Sequence, residues 1–425
     1  MVKNSKSLHI FTAAIISLGL TSVITPAEAI PPVARTKQVI EGLYTQDVDA
    51  AAFFQQGVTQ YNRGNYAQAV TTLRKALYYD PSISMAHYLL GNALAQQNQL
   101  QAAVDAYQVA LRLDPTMPEA YYNLGLTFYK QGRANEAIAQ YQRALTLNPN
   151  LSVAHYNLGL ALEAQGNLDA ALVEYRLASN LNPNYAAAQY NVGLLYLKQE
   201  QTERAIAAFR EAIKSNPKFA LAHYQLGLLL SVQNDFEEAN KALATAIELD
   251  PKLEPAQYRL GVVFAQQGNR DAAIGRFREA ISLNPSNVEA YQQLGAALVQ
   301  RGDFESAISP LKQALRLEPD DALTHYNLAV ALHRGQRLDE AISEYKEAIV
   351  LNPNLAEGFY NLGIALQQAN QRQDAISFLD KAKGLFTQQG KVEKMGEVDQ
   401  VLQQLLLTPP TPSVVVPTPS IQPAR

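Results

Sequence analysis

Residues 118–151 read PEAYYNLGLTFYKQGRANEAIAQYQRALTLNPNL, and this stretch decides the fold because its pattern returns along most of the chain. Apolar residues fall at helical spacing in two runs, at about positions 1 to 14 and 18 to 31 of the stretch. Small residues mark where the helices must approach closely, at Gly125 in the first run and at Ala137 and Ala144 in the second. Pro149 cannot continue a helix and closes the second run. The stretch therefore predicts two helices joined by a short turn.

The pattern recurs with a period of 34 residues and no insertion. With the residue seven before each glycine counted as position 1, position 8 is occupied by Gly57, Gly91, Gly125, Gly159, Gly193, Gly227, Gly261, Gly295, Ala329 and Gly363. Position 15 is Gly or Asn in eight of the ten repeats, and both residues tolerate the left-handed conformation that ends a helix. Glu200 and Gln336 depart from this rule. Ten helical hairpins are predicted over residues 50–387, and they must stack because one hairpin cannot bury its apolar stripe alone.

The combination of Gly125, Ala137, Ala144 and Pro149 resembles the tetratricopeptide repeat family, over residues 50–387. The chain departs from the family pattern at position 4, where no tryptophan occurs. The resemblance implies an all-α fold, a right-handed solenoid superhelix of about ten 34-residue hairpins with an inner concave face. In such a solenoid, function is expected mainly on the concave face.

The first 29 residues read as a signal peptide. Lys3 and Lys6 precede an apolar stretch over residues 8–24, and an Ala-Glu-Ala motif ends at Ala29. Cleavage after Ala29 would export the protein to a periplasm, an internal lumen or the medium. The alternative is that residues 8–24 stay in place as a membrane anchor.

Three further segments flank the repeats. Residues 30–49 form a lead-in in which Val39, Ile40 and Leu43 are spaced for a short helix. Apolar residues at helical spacing predict a capping helix within residues 388–407. Residues 408–425 contain six prolines and favour an extended, disordered tail, or else a spacer or docking peptide for a partner.

Composition and motifs argue against several classes of function. The net charge is -4 and no run of Lys or Arg occurs, so nucleic acid is not an expected partner. No cysteine, phosphate loop, HExxH or GxSxG motif is present. Four histidines fall at the packing position 4, while the fifth outside the signal peptide, His333, faces the groove from position 12 without a second ligand. We therefore predict no enzyme, no cofactor and no catalytic, cofactor-binding or metal-binding residue.

A helical wheel separates two sides of the first helix of each repeat. Positions 4, 7, 8 and 11 carry the packing residues, so positions 2, 5, 6, 9, 12 and 13 are expected to form the free surface that lines the groove. Tyrosine dominates position 5, Asn or Gln position 6, and Leu position 9 in the middle repeats. The predicted partner-binding residues are Tyr122, Asn123, Leu126, Tyr156, Asn157, Leu160, Tyr190, Asn191, Leu194, Tyr224, Gln225, Leu228, Tyr258, Tyr326, Asn327, Tyr360 and Asn361.

Two interpretations of these rows remain open. The asparagine row is similar to that in the repeat region of the O-linked N-acetylglucosamine transferases, which implies recognition of an extended polypeptide through its main chain. The resemblance does not imply glycosyl transfer, and no transferase domain is expected after residue 407. Alternatively, Tyr and Asn belong to the general repeat consensus and pack against the next hairpin. A carboxylate clamp of the chaperone-binding type is not expected, since Lys130 and Lys198 lie two repeats apart.

The sequence thus predicts an exported scaffold or adaptor that binds protein or peptide partners in its groove. Assembly of a membrane or envelope complex is a setting that the family suggests. The alternative function is a substrate-presenting accessory subunit of a separate glycosyl- or cell-wall-modifying enzyme, and a third is self-association through the exposed ends. Membrane contact is expected only if the signal segment is retained.

Overall fold

A computed structural model describes residues 45–407 of the chain, and these residues form helices joined by short turns. The predicted signal peptide, most of the lead-in and the Pro-rich tail lie outside the described residues. The described residues contain 21 helices, which we number α1 to α21, and no strand. The prediction of an all-α solenoid is confirmed.

The first twenty helices pair into ten hairpins. The first helix of each hairpin, its A helix, is α1 (Val48–Asn62), α3 (Ser84–Gln96), α5 (Pro118–Lys130), α7 (Ser152–Ala164), α9 (Ala186–Lys198), α11 (Ala220–Val232), α13 (Glu254–Gln266), α15 (Val288–Arg301), α17 (Ala322–Arg334) and α19 (Ala356–Gln368). The second, its B helix, is α2 (Tyr66–Tyr79), α4 (Leu100–Leu113), α6 (Ala134–Leu147), α8 (Leu168–Leu181), α10 (Thr202–Ser215), α12 (Phe236–Leu249), α14 (Arg270–Leu283), α16 (Phe304–Leu317), α18 (Leu338–Leu351) and α20 (Arg372–Gln388). Helix α21 (Val392–Leu407) follows and packs on α20.

The turn inside each hairpin explains the residue preference at position 15. Backbone φ at this position is positive in the hairpins, for example 77° at Gly64 and 59° at Asn98. The two departures adopt the same conformation, with φ of 59° at Glu200 and 61° at Gln336. A residue with a Cβ is strained in the left-handed conformation. The packing of the two helices must therefore impose this conformation on Glu200 and Gln336.

Close contact between the two helices of a hairpin depends on the glycine at position 8. A Cβ added at Gly91 would lie 2.6 Å from the ring of Tyr107, and one added at Gly295 would lie 2.4 Å from Leu311. Tyr107 and Leu311 occupy position 24 of the same hairpins and are fully buried. The glycines are therefore required by packing and not by backbone conformation.

The chain divides into two units, each with its own core. The N-terminal unit ends at Leu229, within α11, and its core contains buried rings such as Tyr107 and Tyr141. The C-terminal unit begins at Leu230 and its core runs from Ala273 to Leu405. In each unit A helices of successive hairpins contact one another, so we call the side that the A helices form the inner face of that unit.

Helix α21 covers the last hairpin. Val398, Leu402 and Leu405 are buried against the core of the C-terminal unit. Val392, the first residue of the helix, is 75 % exposed and takes no part in this contact.

Candidate functional site

The inner face of the N-terminal unit is closed. The predicted binding residues of this unit are all buried, with less than a tenth of each exposed: Tyr122, Asn123, Leu126, Tyr156, Asn157, Leu160, Tyr190, Asn191, Leu194, Tyr224, Gln225 and Leu228. Their assignment to a free surface is corrected, because these side chains are covered by neighbouring residues, and positions 5 and 6 of successive hairpins bond to each other. These are packing residues, and their contact with a ligand stays a prediction.

Hydrogen bonds between hairpins account for the tyrosine and asparagine rows. The position 6 amide of one hairpin donates to the position 5 hydroxyl of the preceding hairpin, from Asn157 Nδ2 to Tyr122 Oη at 2.7 Å and from Asn123 Nδ2 to Tyr88 Oη at 3.1 Å. The bond from Asn191 Nδ2 to Tyr156 Oη is longer, at 3.4 Å. Each tyrosine ring also packs on the position 24 ring of its own hairpin. Pairs that join successive hairpins in this way fix their stacking.

The inner face of the C-terminal unit is open by comparison. The five remaining predicted residues, Tyr258, Tyr326, Asn327, Tyr360 and Asn361, are half-buried. The same holds at position 9 for Val262, Ala296, Val330 and Ile364. In α15 the residues at positions 5 and 6 are Gln292 and Gln293, which removes an aromatic ring between Tyr258 and Tyr326. We call positions 5, 6 and 9 of α13, α15, α17 and α19 the open inner face.

The hydrogen-bonded row continues on the open inner face but in contact with solvent. Asn361 Nδ2 donates to Tyr326 Oη at 2.9 Å. Burial raises the pKa of Tyr326, with Glu357 raising it further. The tyrosine hydroxyls on this face therefore stay protonated at neutral pH and serve as hydrogen-bonding groups.

A pocket of about 390 Å³ lies between α17 and α19 at one side of the open inner face. Its lining combines apolar and polar side chains: Val330, His333, Arg334, Tyr345, Tyr360, Asn361, Ile364 and Gln368. His333 Nε2 lies 3.0 Å from Gln368 Oε1, and Tyr345 Oη lies 3.5 Å from His333 Nδ1. Two predicted residues, Tyr360 and Asn361, thus belong to this pocket.

Sequence reasoning missed Arg334 and Gln368. A signal for Arg334 was present, since it is the only cationic residue at position 13 of the last four hairpins, where the others are Gln266, Gln300 and Gln368. The groove position of His333 was recognised, but its neighbour in the pocket comes from the next A helix and cannot be found from one helix alone.

The histidines at position 4 have structural partners. His87, His155, His223 and His325 each place Nε2 within 2.9 to 3.0 Å of a proline carbonyl oxygen six residues earlier. In two of them Nδ1 also lies 2.6 Å from a glutamate, Glu174 for His155 and Glu344 for His325. These contacts join position 4 to the preceding turn and the B helix, and so serve packing.

The lysines at position 13 of the N-terminal unit do not form a cationic groove. Lys198 Nζ lies 2.7 Å from Glu163 Oε1, and Tyr175 Oη donates to Glu163 Oε2 at 2.8 Å. Lys130 is exposed two hairpins away. No group of three His, Asp or Glu side chains among residues 45–407 is placed to hold a metal ion. Nor is any helix within that range long and apolar enough to cross a membrane.

Family models match the hairpins along most of the chain. Three tetratricopeptide repeat models cover residues 51–82, residues 91–200 in three overlapping segments, and residues 190–356 in four. This chain belongs to the tetratricopeptide repeat family. Among curated proteins no match was found.

Solved structures of other tetratricopeptide repeat proteins are similar to part of the chain. MamA is 26 % identical and covers 40 % of this chain and 94 % of its own, with a TM-score of 0.38. YrrB, described as a TPR protein with an unusual peptide-binding site, is 24 % identical over 44 % of this chain and 96 % of its own, with a TM-score of 0.40. PilF of Pseudomonas aeruginosa is 20 % identical over 51 % of this chain and 98 % of its own, with a TM-score of 0.45.

Membership of the family gives the protein its general function. Tetratricopeptide repeat proteins bind protein or peptide partners, and the repeats supply most of the described residues here. The architecture is that of a protein-interaction scaffold, and it points away from catalysis.

Proposed function

We propose that this protein is an exported scaffold that holds an extended segment of a partner polypeptide on the open inner face of its C-terminal unit. The observation that carries the proposal is the difference in exposure between the two units. Position 5 tyrosines are buried in hairpins 2 to 6 but half-buried in hairpins 7, 9 and 10. Only the open inner face therefore offers these side chains to a ligand without separating hairpins.

The residue types on this face suit an extended main chain. Tyr258, Tyr326 and Tyr360 offer broad contact surfaces that lose little conformational entropy, each with a hydroxyl. The amides of Asn327 and Gln293 can donate to and accept from peptide groups regardless of the ligand's side chains. The face thus recognises the polypeptide main chain whatever the amino-acid sequence of the ligand.

Repeat spacing sets the length of the ligand. Packed helices lie about 8–10 Å apart and an extended chain advances about 3.3 Å per residue, so each hairpin meets about three residues. The four A helices of the open inner face then span about nine residues. Libraries of peptides of about 12 residues are therefore long enough to fill it.

The test is capture of peptides of about 12 residues, with and without two aromatic side chains of the open inner face. We expect the double variant Tyr326→Ala, Tyr360→Ala to bind the captured peptides at least about tenfold more weakly, because tyrosines at a contact surface carry much of the binding energy. Val350→Ala on α18 is the matched control, since Val350 is 71 % exposed and lies on a B helix. Circular dichroism must show equal helix content in all three proteins.

Two results would count against the open inner face. Unchanged binding by the double variant would remove these tyrosines from the contact surface. An equal loss in Val350→Ala would show that the effect is not specific to the inner face.

Export is the second part of the proposal and rests on residues 1–29. Lys3, Lys6, the apolar stretch and the motif before Ala29 support cleavage by a signal peptidase, and assembly of an envelope complex fits an exported scaffold. N-terminal sequencing of the protein from its own cells should begin at Ile30. A chain that still carries Met1 would contradict cleavage and favour the membrane anchor.

A further inference from the structure

We infer that the pocket between α17 and α19 binds the carboxylate of an acidic side chain within the extended polypeptide. This inference rests on the proposed function, since it adds a preference for sequence to a face that recognises main chain. Its basis is the set of hydrogen-bond donors that the pocket brings together.

Arg334 supplies the positive charge. It lines the pocket, is exposed, and makes no ion pair within residues 45–407. Lys198, which occupies position 13 of the fifth hairpin, is by contrast paired with a carboxylate of its own chain. Its Nζ lies 2.7 Å from Glu163 Oε1. An arginine that is left without a carboxylate of its own chain can accept one from a ligand.

Two acidic side chains close to Tyr326 and Tyr360 have cationic partners within the chain. Glu357 Oε1 lies 2.6 Å from Lys391 Nζ, and Glu397 lies 2.8 Å from Lys394 Nζ. None of the residues that line the pocket is acidic, so the pocket itself holds no carboxylate beside Arg334. Charge complementarity therefore favours an anionic ligand over a cationic or neutral one.

Gln368 adds a second donor. His333 Nε2 and Gln368 Oε1 lie 3.0 Å apart, so the ring N–H donates to the amide oxygen and the Gln368 amide N–H groups point elsewhere. In this tautomer His333 Nδ1 accepts from the Tyr345 hydroxyl, in agreement with the 3.5 Å separation. The bond to His333 thus engages the amide oxygen of Gln368, a residue that lines the pocket, and leaves its N–H groups as donors for a ligand. A carboxylate, which only accepts hydrogen bonds, matches a guanidinium beside an amide N–H.

The pocket extends from Tyr360 and Asn361, over which the main chain would run, to Arg334, so a carboxylate at Arg334 comes from a side chain of that main chain. Positions 12 and 13 of α17 lie about 10 Å along the helix from position 6, where the amides would contact the main chain. A group that reaches Arg334 must project sideways from a chain running over Tyr326 and Tyr360. A volume of about 390 Å³ accommodates one such side chain with its neighbouring atoms.

The experiment uses a random library of peptides of about 12 residues, acetylated and amidated so that no terminal carboxylate is present. The library is captured on the wild-type chain, on Arg334→Gln and on Arg316→Gln, a control whose exposed arginine lies on the B helix α16. We expect the wild type and Arg316→Gln to enrich Asp and Glu about three- to fivefold, the range of a partly exposed ion pair. Arg334→Gln should still capture peptides but without this enrichment.

Every other outcome overturns the inference, and all but the last leave the proposed function standing. Capture without acidic enrichment on the wild type, or enrichment that persists in Arg334→Gln, removes the carboxylate pocket and leaves the open inner face intact. A parallel library with free C-termini tests the other source of a carboxylate, and preferential capture of free ends without acidic residues would assign the pocket to a chain end. No capture of any library would refute the peptide-binding face and the pocket together.

Discussion

Replacing Tyr122 by Phe removes one hydroxyl from the buried row that joins hairpins 3 and 4. Asn157 Nδ2 donates to this hydroxyl at 2.7 Å, and the two residues are 0 % and 1 % exposed. No water can take the place of the hydroxyl at such a site. We therefore expect the free energy of local unfolding to fall by about 1–3 kcal/mol, the cost of depriving a buried donor of its acceptor.

Tyr326→Phe is the matched perturbation in the C-terminal unit. It removes the same bond, from Asn361 Nδ2 at 2.9 Å, but both residues are half-buried and water can replace the lost hydroxyl. The expected loss is below about 1 kcal/mol. The difference between the two losses of unfolding free energy measures how much more the inner face is shielded from water in the N-terminal unit than in the C-terminal unit.

Hydrogen exchange followed by mass spectrometry is the suitable assay, because an array of hairpins opens locally and one global unfolding energy does not describe it. Exchange in α5 and α7 should accelerate about 5- to 150-fold in Tyr122→Phe, the factor that corresponds to about 1–3 kcal/mol. In Tyr326→Phe, exchange in α17 and α19 should accelerate less than about fivefold. Equal effects, or a larger one for Tyr326→Phe, would refute the reasoning that burial decides the strength of these bonds.

Two further predictions concern pH and packing. Burial alone lowers the pKa of His155, but the Glu174 carboxylate and a backbone carbonyl oxygen raise it overall above 6.5. The protonated His155 therefore contributes stability that is fully present below pH 6.5 and is lost as the pH rises through the folded-state pKa. Glu174→Gln should remove this slope in the hydrogen exchange of α7 and α8 across that range, after correction for the intrinsic pH dependence of exchange. His87, whose pKa burial lowers, contributes with the opposite sign. Gly91→Ala should destabilise α3 and α4 by about 1–3 kcal/mol because its Cβ would lie 2.6 Å from the Tyr107 ring. Unchanged hydrogen exchange in these two helices would contradict the packing role of the glycine.

The hairpins could be predicted from the sequence because local sterics determine them. Gly125 and Ala137 leave room that no larger side chain would leave, and Pro149 ends a helix wherever it stands. Position 15 shows the limit of reading residue types alone. Glu200 takes the left-handed conformation without glycine's freedom, since the hairpin around it dictates the turn.

The state of the inner face could not be predicted in the same way. Asn157 and Asn361 both occupy position 6, and each donates to the position 5 tyrosine of the preceding hairpin. Yet Asn157 is buried and Asn361 is half-buried. A helical wheel gives the direction of a side chain but not the distance to the next A helix. That distance depends on every residue between the hairpins, including the glutamines of α15.

Hairpin 9 departs from the repeat pattern at several positions at once. Ala329 places a methyl group where the other hairpins have none, opposite the position that Tyr345 occupies. Gln336 takes a turn position that Gly or Asn holds in eight of the other nine hairpins. His333 and Arg334 bring two basic side chains to positions that are mostly neutral in the other hairpins. In a chain whose sequence otherwise agrees with its fold at each level, local departures concentrate where function competes with stability. The pocket lies at this hairpin, and its lining includes Tyr345, His333 and Arg334, so the irregular repeat and the candidate ligand site coincide.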